Sequence, residues 1–548
     1  MNEGYNLYWG DAHHNTYQHY VQNPPLDEVL AWASTYLDFY TGAYYTPAFV
    51  RAPYTGAHPT HASHLEGGHL SEIDAGQQSW QGVHLEGLKD LDRMAVEWQE
   101  FQEVTAEWNR PGTFVAFPGY EWQGNGRWGD HNVIYRHERE PIVTEQTLPG
   151  LYEQLRGKQA IAIPHHTGYY VGQRAPRWSA CDDTLSPFSE LFSIHGCSET
   201  DEEWIGLRHN SHMGPGTGGG TYQEALDRGL HLGAICSTDN WTNMPGHWGQ
   251  GLMACLATAL TRESLWEAFL ARRVYGVTGD RIQLEFTCNG AVMGSVLPYA
   301  PRREIEVQVR GSAAIDRIEL LRNGRVIATH CHQGTWDLPA EGKRTRWKMR
   351  IETGWGPRAG EIPMPDRQWE GTLSVAGGQM LGWEPCWVTR DQTQPCLSGD
   401  TATFRTVSRQ AYVPRPFQGA TLLEFEAVPE AEWVLQLNGL ELRDTVRNMA
   451  RQSHLLWYVD DCVQLVREAT GITPETARRG DVYYQMAPKA KVHRATPESG
   501  YTASLCTRDD EPIARETHYR VRVEQRNGQR AWSSPIWVQA DEESMRDH

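Results

Sequence analysis

The spacing of hydrophobic and polar residues near the N-terminus predicts alternating strands and helices. Tyr5, Leu7 and Trp9 alternate with polar or small residues, which is the period of a half-buried strand. Two prolines then precede the run LDEVLAWAS, and a proline start followed by early acidic residues is typical of a helix. A second short strand follows over residues 37–41. The chain therefore begins with the strand-helix-strand order of an α/β fold.

The same pattern continues to about residue 280. Short apolar runs predict buried strands, and longer runs with helical periodicity predict helices. Strands are predicted at 113–120, 132–136, 160–163, 190–194, 232–237 and 274–278, and helices at 85–108, 148–156, 222–228 and 262–271. A loop rich in Gly, Pro and His at about 44–82 interrupts this region, and loops of such length usually form functional lids or insertions.

The pattern changes after residue 280. Short alternating runs predict strands, and many are separated by Asn-Gly pairs, as at Asn289-Gly290 and Asn323-Gly324. Asn-Gly is the strongest short signal for a β-hairpin. Residues 281–548 are therefore predicted to form an antiparallel β-sandwich-like domain, interrupted by a helical insertion at about 445–470. Residues 1–280 form the predicted α/β domain.

Composition narrows the classes of partner. The formal net charge of −19 and the pI of about 5.6 argue against a general nucleic-acid or anionic-membrane binder. No apolar run is long enough to span a bilayer, and the N-terminal residues lack the features of a signal peptide. The ten scattered cysteines favour free thiols in a cytoplasmic protein. A small-molecule substrate is the predicted partner, and a homo-oligomer is left open.

Five predicted strands of the α/β region share one feature at their C-terminal ends. Each apolar run is followed by a side chain that can bind a metal or transfer a proton, namely His13, Glu121, His165, His195 and Asp239. Active sites of barrels and open α/β sheets form at the C-terminal ends of the strands. The recurrence therefore predicts one convergent polar site, although each histidine alone is better explained as a hydrogen-bonded core or loop residue.

Imidazole and carboxylate ligands suit zinc, manganese or iron, so the predicted cofactor is one or two divalent ions. Strand alternation places His13 and Asn15 on one face and His14 on the other. His13, Asn15 and Asp239 could hold one ion, and His131 and His165 a second. Glu121 is placed for a carboxylate bridge between them.

Several of these motifs resemble a known family. GDAHHNT is similar to the GDLHxHT opening of the PHP (polymerase and histidinol phosphatase) superfamily of metal-dependent phosphoesterases. Further segments resemble a long subfamily of PHP-like metal-dependent hydrolases with a β-rich C-terminal region: FPGYEW, GDHNVIYR, AIPHHTG, SIHGCSE, STDNW and ARRVYGVTGDRIQLEFTCNGAVMGS. The resemblance implies a distorted (β/α)7 barrel with up to three metals. By position, it implies that the metal ligands are His13, Glu121, His131, His165 and Asp239.

The sequence departs from the family pattern at three expected histidines, which are replaced by Asn15, Ala43 and Trp241. An asparagine can ligate through its carbonyl oxygen, but the other two side chains cannot bind a metal. The third metal site is therefore expected to be absent, or rebuilt with His19 or a histidine of the 44–82 loop. His14 could replace Asn15 if the strand end twists, although alternation favours Asn15.

The leading functional hypothesis is a metal-dependent hydrolase in which a metal-activated water attacks a phosphoester or another small anionic ester or amide. His166 or His195 could protonate the leaving group or orient the substrate. Arginines in nearby loops could bind an anion, and the candidates for substrate binding are His14, His19, Arg127, Arg174, Arg177 and Arg208. Surface charge is the simpler explanation for each arginine alone. The alternatives are a degenerate scaffold that binds a ligand or partner without turnover, and a hydrolase or lyase acting on a carbohydrate-like substrate.

Overall fold

A computed structural model of the chain describes residues 4–17, 24–46, 91–124, 126–172, 174–202, 218–240, 244–332, 336–354, 366–388, 391–408, 418–480, 483 and 487–540. Except for its first three residues, the loop predicted at 44–82 lies outside these ranges. No described helix is long and apolar enough to cross a membrane. All ten cysteines are described, and none forms a disulfide, as predicted.

The N-terminal part alternates strands and helices. Its strands are β1 (Asn6–Thr16), β2 (Phe39–Thr46), β3 (Val115–Phe117), β4 (Gly119–Trp122), β5 (His131–Tyr135), β6 (Ala160–Pro164), β7 (Phe188–Ser193), β8 (Gly196–Cys197), β9 (Gly233–Cys236), β10 (Leu252–Ala257) and β11 (Val274–Val277). Its helices are α1 (Leu26–Tyr36), α2 (Leu91–Trp108), α3 (Leu148–Leu155), α4 (Tyr222–Asp227) and α5 (Arg262–Leu270), with a 3-10 turn at Trp178–Ala180. The predicted α/β character is confirmed.

These strands form a mixed sheet rather than the all-parallel arrangement of a regular β/α barrel. The hydrogen-bonded order is β11-β10-β1-β2-β4-β5-β6. Strand β2 runs parallel to β1, β3 and β4, whereas β5 is antiparallel to both of its neighbours, β4 and β6. Strand β10, which the sequence did not predict, is antiparallel to both β1 and β11. A separate sheet has the order β8-β7-β9, in which β7 and β9 are parallel.

The two sheets enclose one apolar cluster. It takes Ala12, Phe39, Ile163, Phe188, Ile235, Met253 and Val274 from strands of both sheets, and Leu265 and Phe269 from α5. The small sheet contacts β6 through Ser189 Oγ, which donates to the carbonyl of Pro164 at 3.2 Å. On the other side, β9 contacts β11. Among the described strands, hydrogen bonding does not close a complete barrel.

The C-terminal part is rich in strands, as predicted. These are β12 (Gln283–Cys288), β13 (Ala291–Val292), β14 (Val296–Leu297), β15 (Arg303–Arg310), β16 (Ile315–Arg322), β17 (Arg325–Cys331), β18 (Thr345–Gly354), β19 (Arg367–Val375), β20 (Gln379–Pro385), β21 (Cys396–Ser398), β22 (Thr401–Ser408), β23 (Gly419–Ala427), β24 (Glu432–Leu437), β25 (Leu440–Thr445), β26 (His454–Trp457), β27 (Lys489–Val492), β28 (Thr496–Pro497), β29 (Thr502–Asp509), β30 (Thr517–Gln525), β31 (Arg530–Ser533) and β32 (Ile536–Val538). Its helices are α6 (Val446–Met449), α7 (Val459–Thr470) and α8 (Glu498–Tyr501).

Two sheets in this part share one core, as in a β-sandwich. One sheet has the order β20-β23-β18-β27-β26 and the other β21-β22-β19-β24-β25. The buried side chains of Trp347, Trp369, Leu423 and Trp433 meet between them. The helical insertion predicted at 445–470 consists of α6, strand β26 and α7. Tryptophan therefore contributes to the packed core of this half.

The rest of the C-terminal part is continuous with the N-terminal sheet. Strand β31 pairs antiparallel with β11, so that Tyr275 lies opposite Ser533 and Val277 opposite Ala531. Strand β30 pairs with β16, β31 and β32 and extends the same sheet. The domain boundary near residue 280 stays a prediction, and one hydrogen-bonded sheet crosses it.

A buried ion pair also joins the two parts. The Glu199 carboxylate accepts hydrogen bonds from the Arg520 guanidinium and, at 2.7 Å, from Trp532 Nε1. Both charged side chains are at most 2% exposed. Removal of one partner leaves the other charge buried without compensation.

We therefore expect Glu199→Ala to lower the free energy of unfolding by about 3–5 kcal/mol. Chemical denaturation followed by circular dichroism measures this change. The exposed Glu263, which pairs with Arg136 at 3.4 Å, provides the control, and Glu263→Ala should lower the free energy of unfolding by at most about 1 kcal/mol. Equal stability of the two variants would contradict an essential role for the buried pair.

Candidate metal centre

The C-terminal end of β1 carries the first part of the polar site. The pairing of β1 with β2 shifts register between Asp11 and His14, and such bulges often occur next to active sites. His13 Nε2 lies 3.5 Å from Asp239 Oδ1, and Asn15 Nδ2 donates to the same oxygen at 3.3 Å. Asn15 therefore shares the site with His13, as strand alternation predicted.

His14 points away from this group. Its Nδ1 lies 3.2 Å from the hydroxyl of Tyr40, and both side chains are buried. The predicted role of His14 in substrate binding or as a replacement ligand receives no support from these contacts.

Asp11 holds the backbone on which the site is built. Its carboxylate accepts hydrogen bonds from Thr238 Oγ1 at 2.6 Å, from the amides of His13 and Thr238 at 3.1 Å each, and from the amide of Gly246 at 2.8 Å. The amide of Asp239 donates to the carbonyl of His13 at 2.7 Å. Asp239 has a φ of 44°, a strained conformation for a residue other than glycine. These contacts fix Asp239 beside His13.

Three overlapping groups of side chains could each hold a metal ion, because within each group the ligand atoms lie within 4.8 Å of one another. The groups are His13, His165 and Asp239; Asp130, His165 and His166; and His166, His195 and Asp239. Each pair of groups shares one residue. The six side chains therefore form one continuous cluster.

Two glutamates flank His13. Glu121 Oε2 lies 3.8 Å from His13 Nε2, and Glu121 Oε1 lies 3.9 Å from His165 Nε2, which is a suitable position for a bridging carboxylate. Glu190 Oε2 lies 3.2 Å from His13 Nδ1 and also accepts a hydrogen bond from Ser237 Oγ. A carboxylate at one nitrogen of a histidine orients the ring and leaves the other nitrogen for a metal. Glu190 was not predicted, and its only sequence signal is an acid inside the apolar strand FSELFS.

Replacing Glu190 by Gln should weaken metal binding by about 10- to 100-fold, because the His13 ring loses the carboxylate that orients it. Metal retained after dialysis against increasing chelator concentrations measures the affinity. Glu267→Gln serves as the control, because the side chain of Glu267 is 60% exposed. An unchanged affinity in Glu190→Gln would show that Glu190 does not orient a ligand.

Asp130 is a second member that the sequence reasoning missed, although it directly precedes the predicted ligand His131. Arg174 Nε donates to Asp130 Oδ2 at 2.5 Å, and His166 Nε2 lies 3.3 Å from the same oxygen. The amide of His165 donates to the carbonyl of Asp130 at 3.2 Å. Arg174 is thus committed to a carboxylate of the cluster, which differs from its predicted role as an anion clamp.

His195 lies at the least buried side of the cluster. Its Nε2 is 3.3 Å from Asp239 Oδ2, and its side chain is 16% exposed. The hydroxyl of Tyr169 lies 2.8 Å from His195 Nδ1. His166, which has a φ of 34°, stacks edge-on against both rings. The two predicted proton-transfer histidines are therefore neighbours.

The structure places His131 apart from the three groups. Its Nδ1 donates to the carbonyl of Gly129 at 3.1 Å, and its ring packs against Trp122 and Tyr152. In the β4–β5 pairing, His131 lies opposite Trp122, whereas Glu121 lies opposite Asn132. Directly opposed residues share a face of the sheet, so His131 and Glu121 face different sides. Burial lowers the pKa of His131 to about 4.

The other residues that the sequence singled out lie at the surface, in the sheet or outside the described residues. Arg127 and Arg177 are exposed, and Arg177 Nε donates to the carbonyl of Arg127 at 3.2 Å. Ala43 is buried opposite Asn15 in the β1–β2 pairing. The predictions on His19, Arg208 and Trp241 fall outside the described residues.

Negative charge is concentrated in the cluster. The carboxylates of Asp11, Glu121, Asp130, Glu190 and Asp239 are each at most 3% exposed. Burial and the neighbouring carboxylates raise the pKa of Asp239 well above its usual value, although His13 opposes this shift. Burial disfavours a charged His13, but Asp239, Glu121 and Glu190 outweigh it and raise the pKa of His13 well above its usual value. A divalent cation would relieve this repulsion.

The pKa values of His165 and His166 are lowered, in contrast to that of His13. Burial and the surrounding imidazoles lower the pKa of His165 well below its usual value. Burial and the nearby Arg174 lower the pKa of His166 to about 3. Both imidazoles are therefore neutral at physiological pH, which is the form that binds a metal.

The hydrogen-bonding pattern fits a bound metal. Several buried atoms of the cluster have no hydrogen-bond partner among the described residues: His13 Nε2, Asn15 Oδ1, Asp130 Oδ1, both nitrogens of His165, His166 Nδ1 and Asp239 Oδ2. Each buried unsatisfied polar group costs about 1–3 kcal/mol. Metal ions coordinated by these nitrogen and oxygen atoms would satisfy them, and the mixed donor set suits zinc, manganese or iron.

Parts of the chain are similar to known proteins. Residues 59–171, less than half of the chain, match the model of a family described as a protein of unknown function (DUF3604). The chain is 25% identical over 261 residues to an uncharacterized protein of Chlamydia pneumoniae, which covers 42% of this chain and 40% of that protein. It is 26% identical over 253 residues to an uncharacterized protein of Chlamydia trachomatis, and this match covers 41% of this chain and 40% of that protein. The chain thus spans about two fifths of the length of these relatives.

One similar solved structure is that of a two-domain protein from Bacteroides vulgatus that contains a predicted PHP-like metal-dependent phosphoesterase. The identity is 11%, the TM-score is 0.31, and the match covers 58% of this chain and 80% of that one. A TM-score of this size does not establish a common fold. The PHP resemblance in the sequence motifs therefore stays a prediction.

Proposed function

We propose that the protein is a metal-dependent hydrolase that acts on a phosphoester or another small anionic ester or amide. The observation that carries the proposal is the buried cluster of imidazole and carboxylate groups, in which both nitrogens of His165 and single atoms of His13, Asp130, His166 and Asp239 have no hydrogen-bond partner among the described residues. A purely structural cluster would pair these atoms with one another or with the backbone. The concentration of such atoms in one place supports a site built for cations.

The donor geometry supports two ions. His13, Asn15 and Asp239 would hold one, and Asp130, His165 and His166 the other. Glu121 lies between His13 and His165 and would bridge the two ions. In this assignment Asp130 takes the role that the sequence gave to His131, because its carboxylate contacts the cluster directly. The departures at Asn15 and Ala43 fit the loss of a third ion.

A bound divalent ion would lower the pKa of a coordinated water and polarise the oxygen of the substrate. The chain's own contribution is to orient these groups and to supply a proton. His195 is the cluster's most accessible imidazole, and Tyr169 fixes its ring through Nδ1. His195 can therefore donate a proton from Nε2 to a leaving group. Arg174 neutralises Asp130 and so limits repulsion inside the site.

The enclosure of one apolar cluster by two sheets supports a distorted (β/α)7 barrel of the PHP type, with the metal centre at the C-terminal ends of β1 and β6. A small-molecule substrate is the proposed partner, and the cytoplasm is the proposed compartment.

Metal analysis of the purified protein tests the proposal. We expect inductively coupled plasma mass spectrometry to find more than one equivalent of zinc, manganese or iron per protein chain. Removal by a chelator should lower the melting temperature, since a ligand bound only to the folded state stabilises it. Zinc, manganese and iron are then added back separately. The native ion should restore the original melting temperature. A metal-free protein whose melting temperature is indifferent to these metals would overturn the proposal.

A substrate panel distinguishes the functional alternatives once the native metal is known. Phosphoesters, carboxylic esters, amides and glycosides are assayed with the metal-loaded protein. Turnover of a phosphoester or another small anionic ester or amide supports the proposed class, and turnover of a glycoside favours the carbohydrate alternative. A metal-loaded protein that turns over none of them favours a binding scaffold, which the departures at Asn15 and Ala43 make a real alternative.

A further inference from the structure

A second polar cavity lies in the C-terminal part, among residues that do not belong to the metal centre. It has a volume of ≈ 290 Å³, at the lower end of small-molecule sites. Its lining includes five basic side chains, namely Lys348, Arg350, His493, Arg494 and Arg526, and the described lining residues include no carboxylate. Such a cluster is notable in a chain whose net charge is −19.

Two of the basic residues form the buried side of the cavity. Lys348 and Arg350 are two apart on β18, so they share a face of the strand. They are only 3% and 7% exposed. Lys348 Nζ donates to the carbonyl of Gly311 at 2.8 Å and to Glu384. Arg350 Nη2 donates to Asp280 at 2.6 Å, whereas Arg350 Nε has no hydrogen-bond partner among the described residues.

The acid behind Arg350 is shared among several donors. Asp280 also accepts hydrogen bonds from Trp248 Nε1 at 2.7 Å, from Gln525 Nε2 at 2.8 Å and from Asn527 Nδ2 at 2.7 Å. Burial disfavours the charged carboxylate, but Arg350, Trp248 and Asn527 outweigh burial and lower the pKa of Asp280. Because the charge of Asp280 is divided among four donors, Arg350 keeps capacity for a further anionic partner.

The outer side of the cavity adds two exposed arginines and an aromatic surface. Arg494 and Arg526 are exposed, and the guanidinium of Arg526 lies 5.0 Å from the ring centre of Trp336. Thr496 adds a hydroxyl group, and Leu422 adds an apolar contact. The cavity thus combines donors on several sides with a surface for the organic part of a ligand.

We propose that this cavity binds a small phosphate-bearing molecule. The basic side chains come from three separate chain segments, at residues 348–350, 493–496 and 526–527. A tetrahedral oxyanion offers oxygens in several directions, whereas a carboxylate offers two in one plane, so this arrangement favours phosphate. Trp336 and Leu422 would contact the organic group. The proposal is independent of whether the metal centre is catalytic.

Calorimetric titration of the chelator-treated protein, with all 548 residues of the chain present, tests this site. We expect inorganic phosphate to bind at one saturable site. The double change Arg494→Ala and Arg526→Ala should weaken binding by about tenfold or more, because it removes two charge-assisted donors. Phenyl phosphate should bind more tightly than inorganic phosphate, and Trp336→Ala should remove that advantage. Acetate, as the carboxylate probe, should bind more weakly than phosphate.

Two variants serve as controls. Asp239→Asn, in the metal centre, should bind phosphate as the wild type does, and so should Arg302→Ala at a side chain that is 61% exposed. Thermal unfolding checks that each variant is folded. If Trp336→Ala is unstable, the double variant Arg494→Ala and Arg526→Ala alone is sufficient to test the site. Any of four results would overturn the proposal. These are no saturable binding of phosphate, loss of binding in Asp239→Asn, a weakening in Arg302→Ala equal to that in the double arginine variant, and an acetate affinity equal to that of phosphate.

Discussion

Asp239→Asn is expected to abolish stable binding of the ion that Asp239 would share with His13, and to lower hydrolytic activity by at least about 10³-fold. Asp239 belongs to two of the three ligand groups and lies 3.5 Å from His13 Nε2. The change keeps the size of the side chain but removes the charge that a cation needs. Metal catalysis is worth several kcal/mol, and each 1.4 kcal/mol changes the rate about tenfold. Metal content and turnover of the substrate found in the panel measure the effect.

The stability of the chelator-treated protein separates this outcome from a folding defect. Asp239 is buried among other carboxylates, so its neutral replacement should leave the metal-free protein at least as stable as the wild type. Asp227→Asn, on the exposed side of α4, is the control and should retain both metal and activity. Full metal content in Asp239→Asn would remove this residue from the proposed ligands.

Glu121→Gln is expected to have the second largest effect. Glu121 lies 3.8 Å from His13 Nε2 and 3.9 Å from His165 Nε2, so it can contact both proposed ions. A neutral amide cannot replace a bridging carboxylate. We expect loss of at least one equivalent of metal and a reduction in activity of about 10²-fold or more. Metal-to-protein ratio and initial rates are measured on the same preparation.

The matched control for this variant is Glu153→Gln, whose side chain is 75% exposed on α3. It removes the same charge outside the site and should leave metal content unchanged. Gln123 Nε2 donates to Glu121 Oε1 at 2.7 Å, so the variant amide keeps one of its neighbours through its carbonyl oxygen and should fold. Wild-type metal content and activity in Glu121→Gln would exclude the bridge.

Local sequence pattern was sufficient to predict most elements of the N-terminal part. Helix α1 begins at Leu26 and α3 ends at Leu155, within one residue of the predicted positions. Their apolar positions repeat with a helical period, and local periodicity does not depend on distant partners. Strand β10 was missed, although Leu252–Ala257 is an apolar run, because a short apolar run does not distinguish a strand from a buried loop or helix.

The mixed direction of the sheet was decided by tertiary pairing. Strands β5 and β6 were predicted, but nothing in their residues shows that they run antiparallel to their neighbours. Direction depends on the course of the connections and on which edge each strand joins. The continuation of the N-terminal sheet through β31 also depends on residues more than 250 positions apart, so no local pattern could indicate it.

The order of apolar strands and the side chains that follow them were enough to predict one polar cluster of imidazole and carboxylate groups. Side chains after apolar strands predicted His13, His165, His195 and Asp239, and the structure brings these residues together. Only the tertiary structure added Asp130 and Glu190 and separated His131, which shares a face with Trp122. Membership of the site depends on strand register and on which face a residue occupies, and a shift of one residue in register reverses that face.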